Sequence, residues 1–224
     1  MLSIIIPVYN EERTISTIVD MVLSCELPDE MDREVVIVND ASTDGTREIL
    51  NQTTDPRVRI FHFEENQGKT AAVRKGFKEA VGDLLIIQDA DLEYTPDQYS
   101  LLINAMNEQK ADAVYGSRFL GKIEDMKLIN RLANRISNIV FNIKFGTKLT
   151  DINTCFKLFK KDFIDNLKIE SERFGFETEV SVKLMRLNMK IVEVAIEYKA
   201  RTKAEGKKIS WSTAINMFSG IFRY

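Results

Sequence analysis

Apolar residues arrive in short, dense runs through the first half of the chain. Residues 2–8, 35–39, 58–63, 84–88 and 113–116 are rich in β-branched side chains, as strands buried on both faces require. Between these runs, residues 14–24, 46–52, 70–80 and 96–107 place apolar positions at helical spacing. Strands alternating with helices predict a mostly parallel, Rossmann-like α/β sheet flanked by helices. Asp44 is placed to cap the helix beginning near Gly45-Thr46, and Pro96 suits a first helical turn. Beyond Ser117 the pattern predicts a loop, a long helix over 126–145, a strand over 155–159, a helix over 177–188 and a strand over 191–197.

Composition narrows the class. With 224 residues, 44% of them hydrophobic and 29% charged, the chain can bury one substantial core. We expect one domain over residues 1–210 and an amphipathic tail over 211–224. The opening residues read straight into a strand with no basic leader, and no apolar run approaches the roughly 20 residues of a membrane span. Cys25 and Cys155 form no CxxC pair, which fits a reducing, cytoplasmic setting. The net charge is -3, but residues 198–224 are strongly basic, so the rest of the chain is acidic. An acidic body argues against general nucleic-acid binding, while a basic end can meet phosphates or an anionic membrane, or simply be solvated.

Several familiar chemistries are missing. Gly68-Lys69-Thr70 resembles the end of a phosphate-binding P-loop, but Phe63 stands where that loop needs its first glycine. The first strand runs into Pro7-Val8-Tyr9-Asn10-Glu11 without the glycines of a dinucleotide fingerprint. His62, the single histidine, lies within an apolar strand and is expected to be structural. A general base in this chain is therefore expected to be a carboxylate.

Asp89-Ala90-Asp91 follows the strand over 84–88, and open α/β sheets bind ligands at such strand ends. Extended backbone would put both carboxylates on one face, a clustering of charge that Mg²⁺ or Mn²⁺ would relieve. These cations take one or two carboxylates and complete their shell with water and phosphate oxygens. Glu93 is a third candidate ligand. Taken alone, the tripeptide reads equally well as a solvated acidic turn.

Three further segments follow strand ends: Pro7-Val8-Tyr9-Asn10-Glu11, Asn39-Asp40-Ala41-Ser42-Thr43-Asp44-Gly45-Thr46 and Asn66-Gln67-Gly68-Lys69-Thr70. With Asp89-Ala90-Asp91 they resemble the family-two glycosyltransferases of the GT-A fold. Gly116-Ser117-Arg118-Phe119 is similar to the dolichol-phosphate mannosyltransferase-like branch. The resemblance spans nearly the whole chain and implies an inverting transferase that moves a hexose, of mannose or glucose type, from a GDP- or UDP-sugar to a polyprenyl phosphate. It implies that Pro7, Tyr9, Glu11 and Asp40 hold base and ribose, with Lys69 also on the donor side. Asp89 and Asp91 would serve ribose, metal and diphosphate, and Arg118 a phosphate, against an ordinary ion pair as the competing reading. Residues 198–210 resemble the family's basic mobile loop, in which Arg201 and Lys207 would reach the donor diphosphate.

Asp151-Ile152-Asn153-Thr154-Cys155-Phe156-Lys157 resembles the family's acceptor segment, with Cys155 where glycine is more usual. Asp151 becomes the candidate catalytic carboxylate, alongside Asp91. A hydroxyl acceptor would need it as a base. A phosphate monoester, with its second pKa near 6, would not, and capping or a turn is the alternative role. The helix over 126–145 is amphipathic, with Leu128, Leu132, Ile136, Ile139, Val140 and Ile143 on one side. Such a face usually packs on the core, but the resemblance implies contact with a lipid acceptor. The aromatics of residues 211–224 suit a membrane interface. Peripheral attachment at the cytoplasmic face, or through a separate membrane-anchor partner, is the expectation. Transfer to a saccharide or protein hydroxyl, and nucleotide-sugar binding without turnover, are the competing functions.

Overall fold

The computed structural model describes residues 1–172, 175–201 and 219–224. Seven strands form one sheet: β1 (Leu2–Val8), β2 (Arg33–Asn39), β3 (Val58–His62), β4 (Leu84–Ile87), β5 (Ala113–Glu124), β6 (Lys157–Lys160) and β7 (Ile191–Lys199). Their order is β3-β2-β1-β4-β6-β5-β7. All pairings are parallel except those of β6, which runs against both β4 and β5.

The helices are α1 (Ile15–Ser24), α2 (Thr46–Asn51), α3 (Lys69–Glu79), α4 (Tyr99–Gln109), α5 (Leu128–Phe145), α6 (Lys161–Asp165) and α7 (Phe176–Arg186). Pro96 opens a short 3₁₀ turn that leads into α4. Side chains alternate across a strand, and the sheet sorts its partners accordingly. Ile4 and Ile6 of β1 join α1 and α4 in one core, whereas Ile5 joins Val73 and Phe77 of α3 and Phe176 and Val180 of α7 in another. In α1 the buried positions are Ile15, Ile18, Val19 and Val22, the spacing of a single helical face. α3 lies so close to the sheet that a Cβ on Gly76 would come 2.4 Å from Ile5 Cγ2.

Two features depart from the sequence expectation. β5 does not give way to a loop after Ser117. It passes through an irregularity between Ser117 and Lys122 and pairs again with β7 as far as Glu124. At that irregularity Gly121 approaches β7 so closely that a Cβ would lie 2.0 Å from the Ile196 carbonyl oxygen. The second departure is β6, whose antiparallel course starts beside the C-terminal end of β4, with Ile86 opposite Leu158. The segment that leads into β6, residues 151–156, is thereby delivered to the sheet end where β1, β2 and β4 also finish.

α5 is built inside out. Leu128, Leu132, Ile136, Ile139 and Ile143 form an exposed stripe, with Leu128 81% and Ile143 79% accessible. The inward face carries asparagines: Asn138 donates to the Thr150 carbonyl and accepts the Ile152 N–H (3.0 Å), Asn142 donates to the Leu149 carbonyl (2.8 Å), and Asn134 accepts from Asn153 (3.1 Å). At the chain end, Ile221 packs in a small cluster with Phe141, Leu149, Ile152 and Val182. Most of the expected tail, residues 211–218, lies outside the described residues.

Candidate active site

The loops after β1 and β2 are stitched together by short polar side chains. Asn10 adopts a left-handed conformation (φ 53°) and accepts the Thr43 N–H at 2.8 Å, while Thr46 Oγ1 accepts the Glu11 N–H at 2.9 Å. Asp44 accepts the N–H and hydroxyl of Thr46, at 3.1 and 2.6 Å, and the Glu12 N–H at 3.2 Å. Asp44 thus holds the first N–H of α2, while Gly45, not Asp44 as expected, occupies the capping position. Asp40 is buried and accepts the N–H groups of Gln67 (2.7 Å) and Gly68 (2.8 Å) and the Asn66 amide (3.0 Å). These bonds hold the turn into α3, where Gly68 has φ 91°, a conformation glycine adopts without strain. His62 is bonded through both ring nitrogens, to Asn39 and Asn51, a structural role.

Glu11 emerges from this scaffold nearly buried, and Tyr9 stands beside it more than a third exposed. Pro7 lies in β1 opposite Val38 of β2. Facing Glu11 is the turn after β4. Extended backbone was expected across Asp89-Ala90-Asp91, but the chain turns there, with Leu92 left-handed at φ 62°. Each carboxylate consequently meets its own cation. Asp89 Oδ1 lies 2.6 Å from Lys69 Nζ, which also touches Glu177 at 3.2 Å and Cys155 Sγ at 3.1 Å. Asp91 Oδ2 accepts from Arg201 at 3.1 Å.

Negative charge is concentrated here. Burial, then the neighbouring Asp89 and Glu93 carboxylates, push the Asp91 carboxyl up to about 7 against the pull of Arg201. Burial works against the charge on Lys69, yet Asp89, Cys155 and Glu177 together hold its ammonium well above the usual lysine value. Glu93, expected as a third metal ligand, has both oxygens engaged: Oε2 accepts the Tyr198 hydroxyl (2.6 Å) and Oε1 the Arg201 N–H (2.7 Å). Among the described residues no three acidic, histidine or cysteine side chains converge as a cage for a cation. The acidic turn still fits a hard divalent ion that keeps water or phosphate oxygens for most of its shell. It offers carboxylate oxygens and a local excess of negative charge, countered by cationic side chains.

A second ion pair lies beyond Tyr198. Arg118 at the turn of β5 is bidentate on Asp151, with Nε 2.7 Å from Oδ2 and Nη2 2.8 Å from Oδ1, and its backbone N–H donates to Oδ2 at 3.0 Å. Asp151 is fully buried and Arg118 nearly so. Burial disfavours the guanidinium charge, and Asp151 more than restores it. The sequence expectation of a free carboxylate base at Asp151 therefore meets a carboxylate already holding an arginine. The ion pair of Arg118 is internal rather than on the surface.

Four residues that the sequence reading did not single out support these pairs. Glu193 accepts the N–H groups of Thr150 and Asp151, each at 2.8 Å. Lys157, buried in β6, donates to the Ile152 and Thr154 carbonyls, and its Nζ sits 4.1 Å from the centre of the Tyr115 ring; burial pushes it down to about 8. Glu177 anchors Lys69. Tyr198 joins the halves of the site, with its hydroxyl on Glu93 and its ring 5.2 Å from the Arg118 guanidinium. Glu193, Glu177 and Tyr198 meet partners far away in sequence, and Lys157 turns back on carbonyls three and five residues before it, so no local motif marks them. Lys207 lies outside the described residues.

The architecture, with an acidic turn at the strand ends, is that of the GT-A fold. The structure of glucosyl-3-phosphoglycerate synthase from Mycobacterium tuberculosis with phosphoglyceric acid superimposes with a TM-score of 0.76 at 17% identity, over 99% of this chain and 79% of that one. The same enzyme with Mn²⁺ and uridine-diphosphate gives 0.73 at 16% identity, over 99% and 77%. Residues 3–168 match glycosyl transferase family 2, and the chain belongs to that family of glycosyltransferases. It is 30% identical over 213 residues to an undecaprenyl-phosphate mannosyltransferase of Micrococcus luteus, covering 91% of this chain and 85% of the relative. To a dolichol-phosphate mannosyltransferase of Pyrococcus furiosus it is 28% identical over 211 residues, which is 92% of this chain and 58% of that longer protein.

Proposed function

We propose that this glycosyltransferase moves a hexose, of mannose or glucose type, from a GDP- or UDP-sugar to a polyprenyl phosphate, with inversion at the anomeric carbon. The relatives' acceptors, undecaprenyl phosphate and dolichol phosphate, support the acceptor class. The observation that carries it here is the pairing of Arg118 with Asp151 at one edge of the acidic turn. With both carboxylate oxygens on Arg118, Asp151 is poorly placed to take a proton, and a phosphate acceptor does not need it to. A hydroxyl acceptor would require Asp151 to leave Arg118 first.

One oxygen of the acceptor phosphate attacks the anomeric carbon from the face opposite the diphosphate. The new carbon–oxygen bond forms as the bond to the donor phosphate breaks, and the electron pair departs on the nucleoside diphosphate. Pro7, Tyr9, Glu11 and Asp40 line the base and ribose side, with Asp40 acting by holding the 66–68 turn. Lys69 keeps Asp89 in place for a donor hydroxyl. Asp91, with Asp89 beside it, would hold Mg²⁺ or Mn²⁺, and Glu93 braces the turn from behind. A bound cation would neutralise charge growing on the leaving diphosphate. Arg118, Arg201 and, beyond the described residues, Lys207 add positive charge where phosphates meet. Asp151 positions Arg118.

The α5 stripe would meet the lipid phase. No helix among the described residues is long and apolar enough to cross a membrane. α5 carries no acidic residue, and exposed Lys127, Arg135 and Lys144 flank its apolar side chains. An amphipathic helix of this kind binds at the interface plane.

The test is product analysis with UDP- and GDP-hexoses, Mn²⁺ and undecaprenyl phosphate, followed by mass spectrometry of the lipid fraction. A hexosyl phospholipid is expected from one of the donors. Transfer to a saccharide hydroxyl without any lipid product would overturn the acceptor. Absence of thermal stabilisation by every nucleotide sugar would overturn the donor.

A further inference from the structure

Arg201 lies two residues beyond the end of β7 and reaches across the site. Its Nη1 lies 2.9 Å from Glu11 Oε2, and its Nη2 lies 3.2 Å from Glu11 Oε1 and 3.1 Å from Asp91 Oδ2. Its own N–H is fixed on Glu93 Oε1 at 2.7 Å. One guanidinium thus bridges a carboxylate from the β1 loop and the carboxylate proposed for the metal. Asp91 lies among like charges, with Asp89 and Glu93 close by, and such a cluster requires a cation to be stable. The Arg201 guanidinium supplies one.

We infer that Arg201 is an internal counter-ion standing in for the divalent cation at Asp91, and that binding of cation and nucleotide exchanges it. Asp91 then changes partner from guanidinium to metal, and the released guanidinium turns to the donor diphosphate. The backbone bond to Glu93 stays in place, so only the side chain has to move. Guanidinium and divalent ion compete for the same carboxylate oxygen, which makes metal binding to the empty enzyme weak and binding with the nucleotide cooperative. A cation arriving with a diphosphate compensates Asp91 and gives the arginine a new anionic partner, whereas a cation arriving alone gives it none. This inference rests on the metal-and-donor reading of the acidic turn.

The experiment is a Mn²⁺ titration of the donor-free protein followed by electron paramagnetic resonance, on the wild type and on Arg201→Gln, Arg201→Lys and Asp91→Asn, with UDP and GDP titrated in parallel. Circular dichroism verifies that each variant is folded. Removing a unit charge that sits about 4 Å from the ion is expected to tighten Mn²⁺ binding to Arg201→Gln by about fivefold or more. The same variant should bind the nucleotide diphosphate more weakly, and Arg201→Lys should return Mn²⁺ affinity towards the wild type. A merely structural arginine would weaken both ligands together. Unchanged or weaker Mn²⁺ binding in Arg201→Gln, with binding still abolished in Asp91→Asn, would overturn the exchange and leave the metal site standing. Mn²⁺ binding that ignores Asp91→Asn would overturn the metal site and the exchange with it.

Discussion

Replacing Asp151 by Asn removes one charge from a pair that is almost wholly out of water. Arg118 spends three N–H groups on this carboxylate, at 2.7, 2.8 and 3.0 Å. An Asn oxygen can keep two of them on the Oδ2 side, but its amide N–H₂ then faces Arg118 Nη2, donor against donor. The guanidinium is left charged in a buried site. Attraction across such a contact is about 5 kcal/mol at an effective dielectric near 20, and breaking one side of a buried pair typically costs about 3–5 kcal/mol. For a domain of this size that is a fall in melting temperature of about 6–20 °C. The assay is thermal and urea unfolding alongside sugar transfer. Asp151→Asn should lose stability and turnover together. The double replacement Arg118→Met with Asp151→Leu should regain most of the stability, because an apolar pair replaces an ionic one at little net cost, without regaining turnover. If Asp151→Asn melts within about 2 °C of the wild type while transfer disappears, the positioning argument is wrong and Asp151 returns as a proton acceptor.

Gly121→Ala should destabilise the β5–β7 ribbon by about 1–3 kcal/mol in urea unfolding, because the new Cβ would meet the Ile196 carbonyl oxygen at 2.0 Å. Charging the α5 stripe with Leu132→Glu and Ile139→Glu should abolish flotation with anionic vesicles yet cost less than about 1 kcal/mol of fold stability, since both side chains are exposed. Stability should also fall on the acid side. Burial opposes the charge on Glu34, but bonds from Ser3 Oγ (2.5 Å), the Val81 N–H (2.6 Å) and Arg59 (3.1 Å) lower its pKa below the ordinary value. Its contribution is complete above the unfolded glutamate pKa and disappears as pH drops through the lower folded value. Glu34→Gln should flatten that limb of a melting-temperature-versus-pH curve.

The parallel half of the fold was legible because its strands are uniform apolar runs and its helices repeat apolar residues on one face; β1 occupies the expected residues. The continuation of β5 was hidden, since Arg118, Gly121 and Lys122 interrupt the apolar pattern where the strand bends and becomes exposed. The direction of β6 was not legible, because an antiparallel strand of four residues has no distinctive local composition. Lys157 belongs to that strand and reads as a solvent-facing cation, yet it is buried on two backbone carbonyls. The candidate site shows the same division. Glu11, Asp89, Asp91 and Arg118 occur in local motifs at strand ends and could be selected from them. The bonds that decide what each can do come from Arg201, Lys69, Glu177 and Asp151, distant in sequence and brought near only by the sheet.

α5 reverses the usual logic of helix mutation. An ordinary surface helix is secured by the residues that a hydropathy profile finds, so trimming a leucine weakens it and trading an asparagine goes unnoticed. Here the amides of Asn138 and Asn142 act as fasteners to the strap of backbone that carries Asp151, while the exposed leucines and isoleucines join no buried cluster among the described residues. The outer ridge is therefore free to vary among bulky apolar side chains to suit whatever medium it touches. On the inner row, one shortened amide would loosen the strap and, with it, the aim of Arg118.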